Sequence, residues 1–290
     1  YWEAKLKGAA TLSLPIDYAR PSVQSTAGSS VSLVLNKELS ESLKLLCQTE
    51  GVTLFMLMLS VFKVLLSRYS GQEDICIGTP IANRTQSELE GMIGFFVNTL
   101  VLRNDLGGNP SFKDLLERVR ETTLDSYDHQ LVPFEKVVDR VVTTRDRSMT
   151  PLFQVMFILQ NTAEESAEEG NGNGNGLEGI TFSGYDLETI NAKVDLTLSV
   201  SENNNDIDLD INYCTALFDK VTIDRMLLHY QELLTGIVSD INQPINTLSI
   251  LTKGEEHQLL DVFNNAAVEY PKDKTLVTLF EEQVKNTPDA

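Results

Sequence analysis

The stretches 194-VDLTLSV-200 and 206-DIDLDINY-213 decide the fold class. In both of them, apolar residues alternate with polar ones, which is typical of a strand with one buried face and one solvated face. The residues between them, 202-ENNN-205, are typical of a turn. We therefore predict that the two stretches form an antiparallel hairpin.

Helical patterns lie on both sides of this hairpin. Leu39, Leu43 and Leu46 follow the i, i+4, i+7 spacing of an amphipathic helix. The helix that begins near Thr53 is apolar on nearly every side, which predicts a buried helix. A last helix is predicted over residues 220–239, with inward-facing Ile223, Met226, Leu227, Leu234 and Ile237. Strands that alternate with helices and include an antiparallel pair predict an α/β (α+β) layered sandwich.

Other segments complete this outline. Further strands are predicted over residues 31–36, 94–106 and 151–161, and residues 74–84 are predicted to form a strand that ends in a loop. Ser111, followed three residues later by Asp114, comes near the capping-box pattern at the start of a helix. The first 30 residues are rich in Pro, Gly and Ser after residue 13, and we predict that they form an extended, exposed lead-in.

Composition limits the class of protein. The formal net charge of −19 disfavours binding to nucleic acid. Cys47, Cys76 and Cys214 include no CxxC pair, so a zinc or redox motif has no support, and the first two are predicted to be buried thiols. The most apolar run, Leu54–Leu66, is too short to span a bilayer and contains Lys63. No signal peptide is recognisable, and we expect a cytosolic protein without membrane contact.

Two motif-like stretches are assigned no ligand. Residues 162–178 are low-complexity and are predicted to form a mobile loop, and their Gly-Asn run lacks the Lys-Ser/Thr pair of a phosphate loop. The alternating aspartates of residues 206–210 begin like a calcium loop. However, Ile211 and Leu217 stand where that loop needs Gly and Glu. These aspartates are therefore predicted to form the solvated face of a strand.

Support for nucleophilic catalysis is weak. The sequence has no GxSxG motif, and sequence separation neither supports nor excludes a Cys–His pair. His229, in the last helix, and His257 are predicted to be surface or interface residues. His129, in 129-HQLVPFEKVVD-139, is either a general base or part of a helix stop before Pro133. The pattern alone favours the helix stop.

Two further polar residues belong to predicted strands. Asn98 lies among apolar and β-branched neighbours, where a buried amide needs hydrogen-bond partners. It is either a substrate contact or a satisfied core amide. Arg84 ends a strand, and an inward-pointing arginine usually has a carboxylate partner. No such carboxylate is evident nearby in the sequence.

Taken together, these segments resemble the condensation domain of nonribosomal peptide synthetases. The motifs that carry the resemblance appear in the family's order. They are YWEAKLKGAATLSLPIDYARP (1–21), DICIGTPIANR (74–84), IGFFVNTLVLR (93–103), HQLVPFEKVVD (129–139) and RDRSMTPLFQVMF (145–157). The resemblance covers about residues 1–250. The last stretch, LVTLFEEQVKNTPDA, resembles the start of an adenylation domain, so residues 251–290 are assigned to a linker and the beginning of that domain.

The family's catalytic motif, HHxxxDG, does not occur in this sequence. The resemblance therefore implies the C-terminal lobe of a two-lobed fold like that of chloramphenicol acetyltransferase, which is inactive when alone. In the family, an amine on an acceptor carrier protein attacks a thioester on a donor carrier protein, within a tunnel between the lobes. The phosphopantetheine arms belong to the carriers, so the chain itself is expected to bind no cofactor and no metal.

The resemblance implies tunnel or supporting roles for Arg84, Phe96, Asn98, His129, Gln130, Arg145 and Asp146. Arg84 is implied to pair with the aspartate of HHxxxDG in the other lobe, and His129 to support the fold and the lobe contact. The implied partners are the N-terminal lobe of the same domain, the donor and acceptor carrier proteins and the adjacent adenylation domain. Candidate cations for docking an acidic carrier are Lys5, Lys7, Arg20, Arg118, Arg120, Arg145 and Arg147, although scattered solvated charges are the alternative.

Other interpretations stay open. The chain could be a non-catalytic lobe that docks carriers or serves as a scaffold. It could also belong to an epimerisation or heterocyclisation relative, although the adenylation-like end argues against epimerisation. An isolated lobe would expose the surface meant for its partner lobe, and we therefore expect a non-native dimer.

Overall fold

A computed structural model describes residues 1–160, 190–203, 206–266 and 272–288. The low-complexity stretch 162–178 lies outside the described residues, so its predicted mobility stays a prediction. The chain divides into two compact units, Tyr1–Ile250 and Leu251–Ala290. The second unit contains α8 (Lys253–His257), a π-helical turn (Gln258–Val262) and α9 (Leu276–Asn286). Its assignment to an adenylation domain stays a prediction.

The first unit is a mixed sheet covered by helices. Its helices are α1 (Trp2–Leu6), α2 (Lys37–Glu50), α3 (Leu54–Ser70), α4 (Ser87–Glu90), α5 (Phe112–Asp128), α6 (Phe134–Val141) and α7 (Lys220–Ser239). Its strands are β1 (Ala27–Leu35), β2 (Asp74–Ile81), β3 (Asn98–Asp105), β4 (Val155–Gln160), β5 (Ile190–Asn191), β6 (Leu196–Asn203) and β7 (Asp206–Cys214). In the described part of the chain the strand order is β3-β2-β4-β6-β7-β1-β5.

The predicted hairpin lies near the middle of this sheet. β6 and β7 are antiparallel, with Leu196 opposite Tyr213 and Leu198 opposite Ile211. β4 runs parallel to both β2 and β6, which makes the sheet mixed. The predicted α/β (α+β) layered fold is therefore confirmed.

The helices bury the apolar face of the sheet. α2 contacts β7, α7 contacts β1, α3 contacts β2 and α5 contacts β3. Every residue of α3 from Met56 to Leu66 is buried, which confirms the prediction of an internal helix. The five predicted inward-facing residues of α7 are buried as well. Ser111 and Asp114 form a capping box that starts α5, as the sequence predicts.

The starts of three strands differ from the prediction. β1 begins at Ala27, four residues earlier than predicted, while β3 and β4 begin later. β3 begins at Asn98 and not at Gly94, because the register of the β2–β3 pair ends where Ile81 faces Asn98. β4 begins at Val155, later than predicted. The residues before each of these strands keep a strand-like composition without a partner strand. Composition alone therefore overestimates the length of both strands.

The lead-in segment is anchored rather than free. The Arg20 guanidinium forms a bidentate ion pair with Asp195, whose side chain is almost fully buried. The Gln72 side chain accepts from the Ser13 amide at 2.7 Å and donates to the Thr11 carbonyl at 3.0 Å. The Gln72 side chain thus satisfies two backbone groups of the lead-in. The prediction of an extended, exposed lead-in is confirmed for residues 13–24, which are exposed or half-buried and form no helix or strand. It was wrong for α1, where Trp2 and Leu6 are buried.

Cys47, Cys76 and Cys214 are free and buried, and burial raises the pKa of the Cys47 and Cys76 thiols to about 11. Over the ranges that the structure describes, no group of three or more His, Cys, Asp or Glu residues is arranged to hold a metal ion.

Within the described residues, no single helix has the length and hydropathy needed to cross a membrane. The pair Lys37–Glu50 and Leu54–Ser70 meets those criteria only when taken together, across a bend of 106°.

Candidate functional site

Asn98, the first residue of β3, holds the turn between α5 and α6. Its Nδ2 donates to the carbonyls of Gln130 at 2.8 Å and Val132 at 2.9 Å. Its Oδ1 accepts from the Phe134 amide at 3.0 Å. One side chain therefore satisfies two carbonyls and one amide of the turn's backbone. This geometry is that of a satisfied amide.

His129 ends α5 on the other side of the same turn. Its Nδ1 lies 2.8 Å from the Asp125 carbonyl, and its ring stacks on the Tyr1 ring at 4.0 Å between centroids. The Trp2 indole donates to the His129 carbonyl at 3.1 Å. The Gln130 side chain donates to the Tyr127 carbonyl at 2.9 Å. This arrangement agrees with the helix-stop interpretation, since the imidazole is bound to the last turn of its own helix.

A cavity of about 280 Å³ lies beside the turn, and we call it the Asn98 cavity. Its apolar lining is Phe95, Val97, Leu131, Pro133 and Phe134. Its polar lining is Asn83, Asn98, Thr99 and Glu135. Among the described lining residues, Glu135 alone carries a formal charge. The Asn98 bonds fix the backbone of the turn while Leu131 remains 70% exposed and Phe95 91% exposed.

Arg84 and Phe96 contact each other, and their sequence neighbours Asn83, Phe95 and Val97 line the Asn98 cavity. The Arg84 guanidinium lies 4.4 Å from the centre of the Phe96 ring, which is a cation–π distance. It also donates to the carbonyls of Leu89 and Glu90 at the end of α4. Within the described residues, these groups take the place of the carboxylate partner that the sequence suggests.

Arg145 and Asp146 belong to a different region. Arg145 pairs with Asp139 at 2.6 Å. Asp146 accepts from the amide and the hydroxyl of Ser148 at 2.8 and 2.7 Å, and these bonds lower the pKa of its carboxyl. Asp146 lines a second cavity, of about 310 Å³, that shares no lining residue with the Asn98 cavity. The seven predicted site residues therefore do not converge on one cavity.

The predicted basic patch is partly neutralised by ion pairs within the chain. Arg20 pairs with Asp195, Arg120 with Glu117 and Arg145 with Asp139. Three of the seven candidate cations therefore have carboxylate partners of their own. The docking patch and scattered solvated charges both stay predictions, since exposed ion pairs of this kind are weak.

Two buried polar residues were not identified correctly from the sequence. His229 is buried in α7, with its Nδ1 2.7 Å from the Tyr69 hydroxyl, so the prediction of a surface or interface residue was wrong. Lys63 is fully buried in α3 and donates to the carbonyls of Leu102 at 2.7 Å and Ile75 at 3.3 Å. Burial lowers the pKa of the Lys63 amine to about 7.

Comparison with known proteins places this chain in a family. The family model described as Condensation domain matches residues 1–260. The chain belongs to the condensation-domain family. A linear gramicidin synthase chain of Brevibacillus parabrevis is 45% identical over 294 residues, which cover 100% of this chain and 6% of that protein. Surfactin synthase subunit 1 of Bacillus subtilis (strain 168) is 41% identical, over 100% of this chain and 8% of that protein.

Solved structures agree on the fold. Holo-AB3403, a four-domain nonribosomal peptide synthetase bound to AMP and glycine, is 24% identical with a TM-score of 0.81, over 100% of this condensation-family chain and 22% of that chain. The X-domain from teicoplanin biosynthesis is 26% identical with a TM-score of 0.75, over 86% of this chain and 56% of that chain. These neighbours share the chloramphenicol acetyltransferase-like fold predicted from the sequence. The chain therefore spans only a small part of its curated relatives and about half of the X-domain structure.

Proposed function

We propose that this chain is the C-terminal lobe of a peptide-bond-forming condensation domain. Its 45% identity to a linear gramicidin synthase over its whole length carries this proposal. In the reaction, an acceptor amine attacks the donor thioester carbonyl. A C–N bond forms, the C–S bond breaks, and the donor arm leaves as a thiol with the proton that the amine loses. Donor and acceptor arrive on the phosphopantetheine arms of carrier proteins, so these arms are part of the substrates.

The exposed apolar surface around the Asn98 cavity supports the proposed lobe contact. Ile93, Phe95 and Leu131 lie largely in solvent, and an apolar surface of this kind favours burial against a partner. We assign this surface to the N-terminal lobe and the tunnel between the lobes. The adenylation domain is the proposed neighbour of residues 251–290, and the cytosol is the proposed compartment.

The residues of this chain act by support rather than by proton transfer. His129 is bound to α5 and stacked on Tyr1, so we assign it to holding the turn. Arg84 is the proposed partner of the HHxxxDG aspartate. To form that pair it would leave the carbonyls of α4 and donate instead to a carboxylate, which it can bind through two parallel hydrogen bonds. In the complete domain, Arg84→Ala should lower both stability and activity, and unchanged values of both would contradict this role.

A single-turnover condensation assay tests the proposal. Donor and acceptor carriers, each loaded with its amino acid, are mixed with this chain or with a protein extended upstream through HHxxxDG. We expect product from the extended protein alone. Product from this chain would place a base within it, and His129 would be the first residue to replace. No product from either protein would contradict the proposed reaction.

A second candidate function is a non-catalytic docking lobe. It is favoured by the complex of the X-domain with OxyB from teicoplanin biosynthesis, because that X-domain is 27% identical to 87% of this chain. Under this alternative, the lobe would bind a protein partner without forming a bond. Turnover by the extended protein, abolished by changing the second histidine of HHxxxDG, would exclude it.

A further inference from the structure

Lys63 is a buried amine in the middle of α3, and the proposed function does not use it. Its Nζ donates to the carbonyls of Leu102 at 2.7 Å and Ile75 at 3.3 Å. Among the described residues, no carboxylate forms an ion pair with it. An ammonium has three N–H donors and a neutral amine has two, so the two carbonyls match the neutral form. An ammonium in this place would be a buried charge without a partner, which is costly.

The two carbonyls belong to neighbouring strands, so Lys63 fastens both β2 and β3 to α3. Cys76 lies opposite Arg103 in this strand pair, and the two carbonyls come from the residues beside them, Ile75 and Leu102. Within the described sheet β3 is an edge strand, with a neighbouring strand on one side only. The Lys63 amine therefore ties an edge strand to the layer of helices.

The charged groups around this amine lie mostly toward the strands. Asp74 of β2 and Arg103 of β3 form an ion pair with each other at 2.8 Å, and Lys5 of α1 lines the same open hollow of about 440 Å³. Cys76 supplies the nearest thiol. The buried residues of α5 include no titratable group. The other titratable groups buried in helices that pack on α3 are Cys47 in α2 and His229 and Tyr230 in α7.

Separation of the two strands would change the protonation of the amine. It would bring Lys63 to water and to the half-buried Asp74, and both of these favour the ammonium form. Burial lowers the pKa of the Lys63 amine from 10.5 to about 7, so between these values opening takes up one proton from water. The opening equilibrium constant therefore rises about tenfold for each unit by which the pH falls in this range, and stays constant below it.

We infer that Lys63 is a proton-dependent latch, which holds β2 and β3 against α3 while its amine is neutral and releases them locally when the amine gains a proton. The chain continues from β2 to Arg84, and β3 begins at Asn98. The latch therefore controls movement of the backbone that carries both of these residues. This role goes beyond the proposed function, because it involves neither a carrier protein nor bond formation.

Amide hydrogen exchange of the unmodified chain, followed by NMR between pH 7.5 and 8.5, tests the latch. Exchange of an open amide is base-catalysed and rises about tenfold over this range, while the opening constant falls by the same factor. We therefore expect exchange of the Ile77 and Leu102 amides, which face each other in the strand pair, to be independent of pH. The range lies below the ordinary thiol pKa of 9.0, because ionisation of Cys76 in the open form would act in the opposite direction.

Lys63→Met removes the proton-binding group and keeps an apolar side chain in its place. In this variant, exchange of the Ile77 and Leu102 amides should rise about tenfold between pH 7.5 and 8.5. Lys253→Met, at an exposed lysine of α8, is the matched control and should behave like the unmodified chain.

Three outcomes would overturn the latch. A tenfold rise at Ile77 and Leu102 in the unmodified chain would mean that their opening takes up no proton. Leu198 and Ile211 of the central hairpin should exchange more slowly, and equal rates there would mean that the opening is global unfolding. These two results need no variant, so they decide the matter even where Lys63→Met does not fold. Exchange that stays independent of pH in Lys63→Met would assign the proton to another group.

Discussion

The side-chain amide of Asn98 both donates to and accepts from the backbone of one turn. Few other side chains can do both, which limits the residues that can replace it. Asn98→Ala leaves two carbonyls and one amide without their partner, and should lower the free energy of unfolding by about 2 kcal/mol. Asn98→Asp should be worse, because it keeps the acceptor for Phe134 but sets a carboxylate oxygen against two carbonyl oxygens. Urea unfolding followed by circular dichroism measures both changes.

Asn242 supplies the control for this pair of variants. Its side chain is exposed and makes no hydrogen bond with the described residues. Asn242→Ala and Asn242→Asp should therefore differ little from the unmodified chain. If Asn98→Asp were as stable as Asn98→Ala, the amide would not be donating to the turn.

Lys63 is the residue whose protonation should be visible in stability. The pKa of its amine is about 7 in the folded chain and returns to its ordinary value of 10.5 on unfolding. Between these values the unfolded chain holds one more proton, so the free energy of unfolding rises with pH by about 1.4 kcal/mol per unit. Below pH 7 both states are protonated and this contribution to the slope disappears.

The comparison of Lys63→Met with the unmodified chain isolates this effect. Urea unfolding between pH 7.5 and 10 should give a shallower rise with pH for the variant. Subtraction is needed because the raised pKa values of Cys47 and Cys76 act in the opposite direction as pH increases through their range. Equal slopes for the two proteins would show that Lys63 is solvated in the folded chain.

At the scale of elements, α1 fastens the end of α5. The Trp2 indole donates to the His129 carbonyl, while the amides of His129 and Gln130 bond to the last turn of α5. Trp2→Phe keeps an aromatic ring in the same place but removes the donor. The loss of one hydrogen bond should speed exchange of these two amides by about fivefold, as measured by hydrogen exchange with NMR.

Exchange in the central hairpin is the internal reference for this experiment. The Ile211 amide lies in β7, far along the sequence from α1, and should exchange at an unchanged rate. A uniform increase over the whole sheet would indicate global destabilisation. Unchanged exchange at His129 and Gln130 would mean that α1 does not hold the turn.

The elements that the sequence predicted best are those with an uninterrupted period. The hairpin alternates without a break, and α7 was predicted over the same residues, 220–239, that form it. The start of β3 could not be predicted, because it depends on where Ile81 stops pairing with Asn98. The hydrogen bonds of Asn98 to the α5–α6 turn could not be predicted for a similar reason. Its partners are backbone atoms 32 to 36 residues away, and no side-chain pattern encodes them.

At the scale of the whole molecule, the exposed apolar side chains near the Asn98 cavity have a consequence for the isolated chain. Ile93 is fully exposed, and Phe95 and Leu131 are more exposed than buried. A surface of this kind lowers its free energy by contact with another apolar surface. A second copy of the chain offers one when the partner lobe is absent. We therefore predict concentration-dependent self-association of the 290-residue chain.

Light scattering after size-exclusion chromatography, over a range of protein concentrations, measures this association. Phe95→Lys should shift the chain toward monomer by at least about tenfold in dissociation constant, because it places a charge in the contact. Leu228→Lys, at an exposed leucine on α7, is the matched control and should leave the dimer unchanged. The extended protein should be monomeric under the same conditions, since its own N-terminal lobe covers the surface. Dimers that survive Phe95→Lys would place the contact elsewhere on the molecule and remove this support for the proposed lobe interface.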